Sequence, residues 1–317
     1  MTSAHQLLDV VIVTHNSSAV LGTALYSLGL SDSPAAQLIV IDNASRPEER
    51  LATRQMMPPG TILVENSVNV GFAGAVNQGV GMSASPWIFL LNPDCSVTTE
   101  VLRALMFHAQ EAEIEIVAPI VATHSPKGVL PAGMAPSAWR FFVQYCGLAF
   151  YAGHRVRLLR GFNLYERNVI RGAPSGQREE VDWVSGGCML VSRILWNRLN
   201  GLNPRWFMYG EDVDFCRRAR ELGVPSYIIP QLRAAHPLGT GSTERNPRVR
   251  MSWLRNLRDI VLEQHGRMAL FRLDAVLLFG AVLVSVTRRR SSFGRPGVTL
   301  LWRCVLRSDV EPESAHS

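Results

Sequence analysis

Leu8–Val13 reads LDVVIV, a short and almost unbroken apolar run that ends in the polar cluster Thr14-His15-Asn16-Ser17-Ser18. A strand of that composition is buried on both faces, as it is inside a parallel sheet covered by helices. The pattern recurs along the chain. Gln37–Ile41 (QLIVI) ends at Asp42-Asn43-Ala44-Ser45, Thr61–Val64 precedes Asn69-Val70-Gly71-Phe72, and Trp87–Leu91 (WIFLL) ends at Asn92-Pro93-Asp94. Helical stretches such as Ala19–Leu28 lie between these runs, so the chain reads as an α/β fold of βαβ units. Ligands of such sheets bind beyond the carboxyl ends of the strands, where these polar clusters fall.

Composition narrows the classes. With 317 residues, 47% apolar and 18% charged, the chain can form one large α/β domain plus an appendage and is neither disordered nor fibrous. Its five cysteines are odd in number, widely spaced and without a C-x-x-C, which indicates neither a disulfide framework nor a zinc site and fits a reducing cytosol. Met1–Gln6 has no basic n-region and no apolar core, which speaks against a signal peptide. The formal charge of +6 is compatible with nucleic acid, anionic lipid or a phosphorylated substrate. The basic residues interleave with no nucleic-acid motif, which sets that partner aside. No P-loop run occurs, and Gly71–Gly79 lacks the dinucleotide-binding spacing and does not follow the first strand.

The polar clusters carry the candidate site. Asp42 at a strand end can accept hydrogen bonds from a ribose or a base edge, with Thr14 and Asn16 on the other side; each also serves as an ordinary turn residue. Asn92-Pro93-Asp94 sets a carboxylate just past a buried strand, where it can reach a divalent cation shared with a diphosphate. Gly186 and Gly187 interrupt the strand pattern Val181–Val191, as happens where backbone approaches a ligand. Gly210-Glu211-Asp212 precedes the helical pattern Val213–Leu222. Acids in a first helical turn are held ionised by the helix dipole, able to accept a proton, bind a cation or simply cap the helix. After the strand Pro225–Ile229, His236 is placed to complete a metal site with Asp94, to bind a diphosphate, or to play a structural part.

In order, VVIVTHNS (Val10–Ser17), LIVIDNAS (Leu38–Ser45), NVGFAGAVNQG (Asn69–Gly79), LLNPD (Leu90–Asp94), VDWVSGGCMLVSR (Val181–Arg193), FMYGEDVDFCRRARELG (Phe207–Gly223) and AHPLGTGS (Ala235–Ser242) resemble the family 2 glycosyltransferases of the GT-A fold, in their rhamnosyltransferase-like branch. The resemblance implies a Rossmann-like mixed sheet flanked by helices, with a C-terminal helical appendage. It implies an inverting transferase that moves a sugar, L-rhamnose from dTDP-rhamnose in the first place, onto a cell-surface polysaccharide or polyprenyl-diphosphate-linked glycan. Thr14, Asn16, Asp42 and Asn43 would hold the nucleoside, with Asn69 and Gly71 against the nucleotide. Asn92, Gly186 and Gly187 would line the nucleotide-sugar site. Asp94, with His236, would anchor Mg²⁺ or Mn²⁺ and the diphosphate, and Asp212 would be the base, supported by Glu211. Asn92 stands where such folds commonly carry an aspartate.

The expected organisation is a transferase domain over 1–244, with an irregular, aromatic, arginine-bearing insertion over 123–180 as an acceptor loop, and a basic helical region over 245–317. From Arg245 to Arg307 there are thirteen arginines against Asp259, Glu263 and Asp274. Arg248–Arg272 reads as an amphipathic helix. Ala275–Thr287 is apolar but short for a bilayer core, which needs about 20 residues. The reading preferred is an interfacial helix on the cytoplasmic face of the inner membrane, its alternatives being a core helix or a homodimer contact. Another UDP- or GDP-sugar donor, a sugar-phosphate nucleotidyltransferase and a non-catalytic scaffold are the rival functions. The nucleotidyltransferase calls for a glycine-rich basic loop after the first strand, where Thr14-His15-Asn16 stands instead.

Overall fold

The computed structural model describes residues 7–29, 35–123, 129–130, 132–133, 135, 178–236 and 247–286. The chain divides into two compact units, one of Met1–Ala132 with Gly172–Leu238, the other of Gly133–Arg171 with Gly239–Ser317.

The first unit alternates strand and helix: β1 (Leu8–Thr14), α1 (Ser18–Ser27), β2 (Ala35–Asp42), α2 (Pro47–Met56), β3 (Ile62–Glu65), α3 (Gly71–Met82), β4 (Trp87–Leu91), α4 (Thr99–Glu111) and β5 (Ile116–Thr123). The short β6 (Val129–Leu130), β7 (Ala132–Gly133), β8 (Glu179–Val181) and β9 (Trp183–Val184) follow. The unit closes with β10 (Cys188–Ser192), α5 (Arg193–Arg198), α6 (Glu211–Glu221) and β11 (Ser226–His236). Nine strands form one sheet in the order β3-β2-β1-β4-β10-β5-β11-β8, with β6 beside β5. β1 is parallel to β2 and β4, β2 to β3, and β5 to β11; β10 runs antiparallel between β4 and β5. The sheet is therefore mixed, as the resemblance implied.

Every residue of β1 is buried, which explains its unbroken apolar sequence. Val10 and Ile12 belong to a core with Leu21 and Leu25 of α1, Phe89 and Leu91 of β4, and Leu102 and Leu105 of α4. α3 lies on β1 and β2, and α4 on β5 and β11. Because β10 enters the sheet antiparallel, its first residue pairs with the last of β4, Cys188 with Leu91. The carboxyl edge thus gathers Thr14, Asp42, Leu91 and His236 at strand ends, with Gly187 at the start of β10.

The described part of the second unit is α7 (Pro247–Val286), interrupted at Gly266 (φ 75°, ψ −179°). Arg258 and Asp274, on either side of that break, form a bidentate pair at 2.6 and 2.7 Å. The pair brings the two halves of α7 alongside each other, so the single helix expected over Arg248–Arg272 is two. No helix among the described residues is long and apolar enough to cross a membrane. Most of the expected acceptor loop and all of Arg288–Arg290 lie outside the described residues.

Candidate active site

Asp212 stands in the first turn of α6, whose N-cap Gly210 adopts φ 109°. Its Oδ1 accepts the Val213 N–H at 2.8 Å and its Oδ2 the Gly186 N–H at 3.3 Å. The neighbouring residue, Gly187, belongs to the other half of the site. Its carbonyl accepts the Asn92 N–H at 2.9 Å, and a Cβ placed on it would fall 2.7 Å from Asn92 Nδ2. The backbone here must be bare for the asparagine to lie against it. One glycine pair therefore touches the α6 carboxylate on one side and the Asn92-Pro93-Asp94 turn on the other.

That turn is pinned independently. The Cys95 N–H reaches Asn92 O at 3.0 Å, and Ser96 exchanges two backbone hydrogen bonds with Ala235, at 2.7 and 2.9 Å. The exchange sets Asp94 beside the end of β11, where Asp94 Oδ2 lies 3.2 Å from His236 Nε2. Cys95 Sγ completes a group whose ligand atoms all lie within 4.8 Å of one another. The sequence set His236 beyond the strand Pro225–Ile229, whereas β11 continues to His236 itself.

The two acids of α6 differ in reach. Glu211 is buried (5% exposed) and its Oε2 has no hydrogen-bond partner, while Asp212 is half-buried. Burial, and then the charge of Asp212, push the Glu211 carboxyl well above the usual carboxylate range. Burial also raises Asp212, against the Val213 and Gly186 N–H groups that stabilise its anion. Burial of these adjacent carboxylates thus works against the stabilisation that a helix end gives their anions. Tyr209, in the left-handed region at φ 69°, carries a phenol pushed up to about 12 by burial and then by Glu211 and Asp94.

The nucleoside candidates lie along the ends of β1 and β2. Thr14 and Asp42 are register partners, both fully buried, and Thr14 Oγ1 and Asp42 Oδ2 have no hydrogen-bond partner. Asp42 Oδ1 accepts the Ser45 N–H at 2.9 Å, with Arg50 Nε 3.5 Å away. Asn16 is exposed, with its Oδ1 accepting the Arg46 N–H at 2.9 Å. Asn43 is a fully used knot. Its amide donates to Asn69 Oδ1 and to Gly71 O, and its Oδ1 accepts from Val70 N and Asn66 Nδ2. Asn69 Oδ1 also accepts the Gly71 N–H at 2.9 Å. Gly71 itself needs its hydrogen: φ is 77°, and a Cβ would stand 2.6 Å from the Phe207 carbonyl, which accepts the Phe72 N–H. Asn43 and Gly71 thus hold the α3 end and the Phe207 loop in place.

Sequence reasoning did not single out Cys95, Tyr209, Ser185 or Phe207. Ser185 Oγ accepts the Gly187 N–H at 3.1 Å. Phe207 could have been found as the aromatic run before Gly210; nothing in the sequence marks Cys95 as lying beside His236.

Residues 9–153 match the family model for glycosyl transferase family 2. The N-acetylglucosaminyl-diphospho-decaprenol L-rhamnosyltransferase of Mycobacterium tuberculosis (strain H37Rv) is 27% identical over 258 residues, 76% of this chain and 79% of that protein. Among solved structures, the mannosyltransferase PcManGT from Pyrobaculum calidifontis in complex with GDP-Man and Mn²⁺ aligns with TM-score 0.56 at 13% identity, covering 96% of this chain and 76% of that one. GalNAc-T7 with UDP, GalNAc and Mn²⁺ aligns with TM-score 0.57 at 16% identity over 81% of this chain, which spans about half of that one (48%). The chain thus has the GT-A fold of these transferases, is similar over residues 9–153 to the family 2 glycosyltransferases, and has a rhamnosyltransferase among its relatives.

Proposed function

We propose that this enzyme transfers L-rhamnose from dTDP-L-rhamnose, with inversion, to a polyprenyl-diphosphate-linked or other cell-surface glycan. The observation that carries the reading is the Gly186–Gly187 pair, which holds Asp212 and the Asn92–Asp94 turn around one space. The mycobacterial relative, whose name specifies an L-rhamnosyltransferase acting on an N-acetylglucosaminyl-diphospho-decaprenol, supports this sugar and acceptor class.

Asp94 and His236 fit a hard divalent cation. They offer an oxygen and a nitrogen 3.2 Å apart on a partly exposed edge, and such ions complete their shell with substrate phosphates and water. Magnesium or manganese held there would supply positive charge against the leaving diphosphate. Thr14 Oγ1 and Asp42 Oδ2 are unspent hydrogen-bonding atoms beneath the nucleoside position, with Asn16 and Asn69 at its rim. Asp212 Oδ2, which accepts the long Gly186 N–H contact, takes the proton of the acceptor hydroxyl. The hydroxyl oxygen of the acceptor then bonds to the anomeric carbon from the side opposite the diphosphate, and the carbon–oxygen bond to phosphate breaks with its electron pair leaving on the diphosphate. Attack from that side inverts the centre without a covalent enzyme intermediate. A base raised by burial takes the proton more readily than a solvated aspartate.

The second half of α7 exposes Met268, Phe271 and Phe279, with Arg267 and Arg272 among them. That mixture supports docking on the anionic cytoplasmic face of the inner membrane. Loss of flotation with anionic liposomes on deleting 248–317, with flotation by the intact chain, is the expected result.

The function is tested by offering dTDP-, UDP- and GDP-sugars with Mn²⁺ and a polyprenyl-diphosphate-linked acceptor, and assigning the product's anomeric configuration by NMR. Preferred transfer from dTDP-L-rhamnose with inversion is expected. Preference for a UDP- or GDP-sugar selects the alternative donor, retention refutes the chemistry, and nucleotide binding without transfer marks a scaffold.

A further inference from the structure

Asp94, Cys95 and His236 bring a carboxylate, a thiol and an imidazole together on two segments locked by the Ser96–Ala235 hydrogen bonds. We propose that these three side chains form a site for a thiophilic divalent cation, zinc foremost, with Cys95 Sγ as the ligand that magnesium and manganese leave unused.

The geometry is close to what zinc requires. Zinc bound at about 2.0–2.3 Å in a tetrahedron separates its ligand atoms by about 3.3–3.8 Å. Asp94 Oδ2 and His236 Nε2 already stand 3.2 Å apart, and the sulfur lies within 4.8 Å of both. To close the third edge the sulfur would have to move toward the other two ligand atoms. Access is from the side of Asp94 and His236, whose side chains are 21% and 14% exposed, while Cys95 forms the floor. The second ring nitrogen, His236 Nδ1, is buried and without a partner.

Ligand softness separates the two classes of ion. Hard cations take oxygen donors and pass over a thiol, whereas zinc, cobalt and cadmium bind it strongly. On binding, the S–H bond breaks, a sulfur–metal bond forms and the proton goes to solvent, with no change of oxidation state. Water or a phosphate oxygen takes the fourth position. The site shares Asp94 and His236 with the proposed diphosphate anchor, so zinc would compete there with magnesium or manganese. The inference stands without the sugar-transfer reading, because metal capture is read with no donor present.

The test uses the full chain, stripped with a chelator and titrated with Co²⁺ without nucleotide. A thiolate-to-cobalt charge-transfer band in the near ultraviolet, displaced by Zn²⁺ and missing in Cys95→Ser, is expected. The zinc Kd of Cys95→Ser should rise roughly tenfold or more, with Mn²⁺ binding in the presence of dTDP unchanged. No band in the wild type, a band persisting in Cys95→Ser, or equal zinc affinity overturns the proposal. Should the buried Cys95→Ser fail to fold by circular dichroism, His236→Gln replaces it. That variant must lose the same order of zinc affinity, and wild-type affinity there is equally fatal.

Discussion

Replacing Asp212 by asparagine separates proton acceptance from every other task of the α6 terminus. The amide is the same size and keeps one oxygen, which can still accept the Val213 N–H now made to Oδ1 at 2.8 Å. The second contact, from the Gly186 N–H at 3.3 Å, would face an NH₂ group and be lost. A lost hydrogen bond to a charged group costs about 1.5–3 kcal/mol. Removing a charge that burial disfavours offsets part of it, so the fold survives. The diphosphate anchor at Asp94 lies on the far side of the glycine pair, and donor affinity should stay near wild type. Turnover should fall by ~10²–10⁴-fold, the usual worth of a positioned base, or about 2.7–5.5 kcal/mol in the barrier. Steady-state transfer to the lipid-linked acceptor gives kcat, and calorimetric titration with dTDP and Mn²⁺ gives binding. Activity near the wild-type rate, or loss of nucleotide binding in step with activity, would refute the assignment of Asp212 as base.

Four further outcomes follow from the same geometry. Asp94→Asn leaves Asp212 in place but removes an anionic ligand, so the metal concentration for half-maximal rate should rise, read by Mn²⁺ titration of activity. Gly187→Ala drives a methyl group against Asn92, 2.7 Å from its amide nitrogen, and displacement of that turn should reduce kcat/KM by up to about 100-fold with little change in Tm. Gly71→Ala is the opposite case. Left-handed backbone costs a side chain about 1–2 kcal/mol, and the Phe207 carbonyl obstructs it, so thermal unfolding should show a lower Tm. Glu211 gives a pH signature. Its folded-state carboxyl is raised above the ordinary 4.5, so the folded chain holds a proton that the unfolded chain releases, and stability falls as pH climbs from 4.5 through the raised value. Denaturant unfolding across that window should lose this slope in Glu211→Gln.

How far the sequence could be read depends on what each signal measures. β1 and β4 were legible because a strand buried on both faces must be apolar throughout, and the polar residues after them mark the edge where the site lies. β5 escaped notice because Pro119 stands in its middle, although the strand pairs on both sides. Pro230 had a similar effect in β11. It sits at the register irregularity between Ile229 and Arg233, where a missing N–H is tolerated, and the strand continues to His236. Gly266 was passed over because the pattern on both sides is helical, and only the Arg258–Asp274 pair reveals the reversal. The upward shift of the Glu211 carboxyl was out of reach in principle, since a helix-end dipole can be inferred locally but burial is a property of the whole fold. Cys95 looked like one thiol among five, because its nearness to His236 arises from the pairing of Ser96 with Ala235 across the sheet edge.

The central claim is that one donor molecule lies between Asp94 and Asp212. A crystal structure with dTDP-L-rhamnose, Mn²⁺ and the inactive Asp212→Asn chain examines it directly. The account predicts the diphosphate at Asp94 and His236, the base over Thr14 and Asp42, and the anomeric carbon facing residue 212 with room for a hydroxyl between. A diphosphate bound away from Asp94, or a sugar whose reactive carbon turns from residue 212, would contradict it.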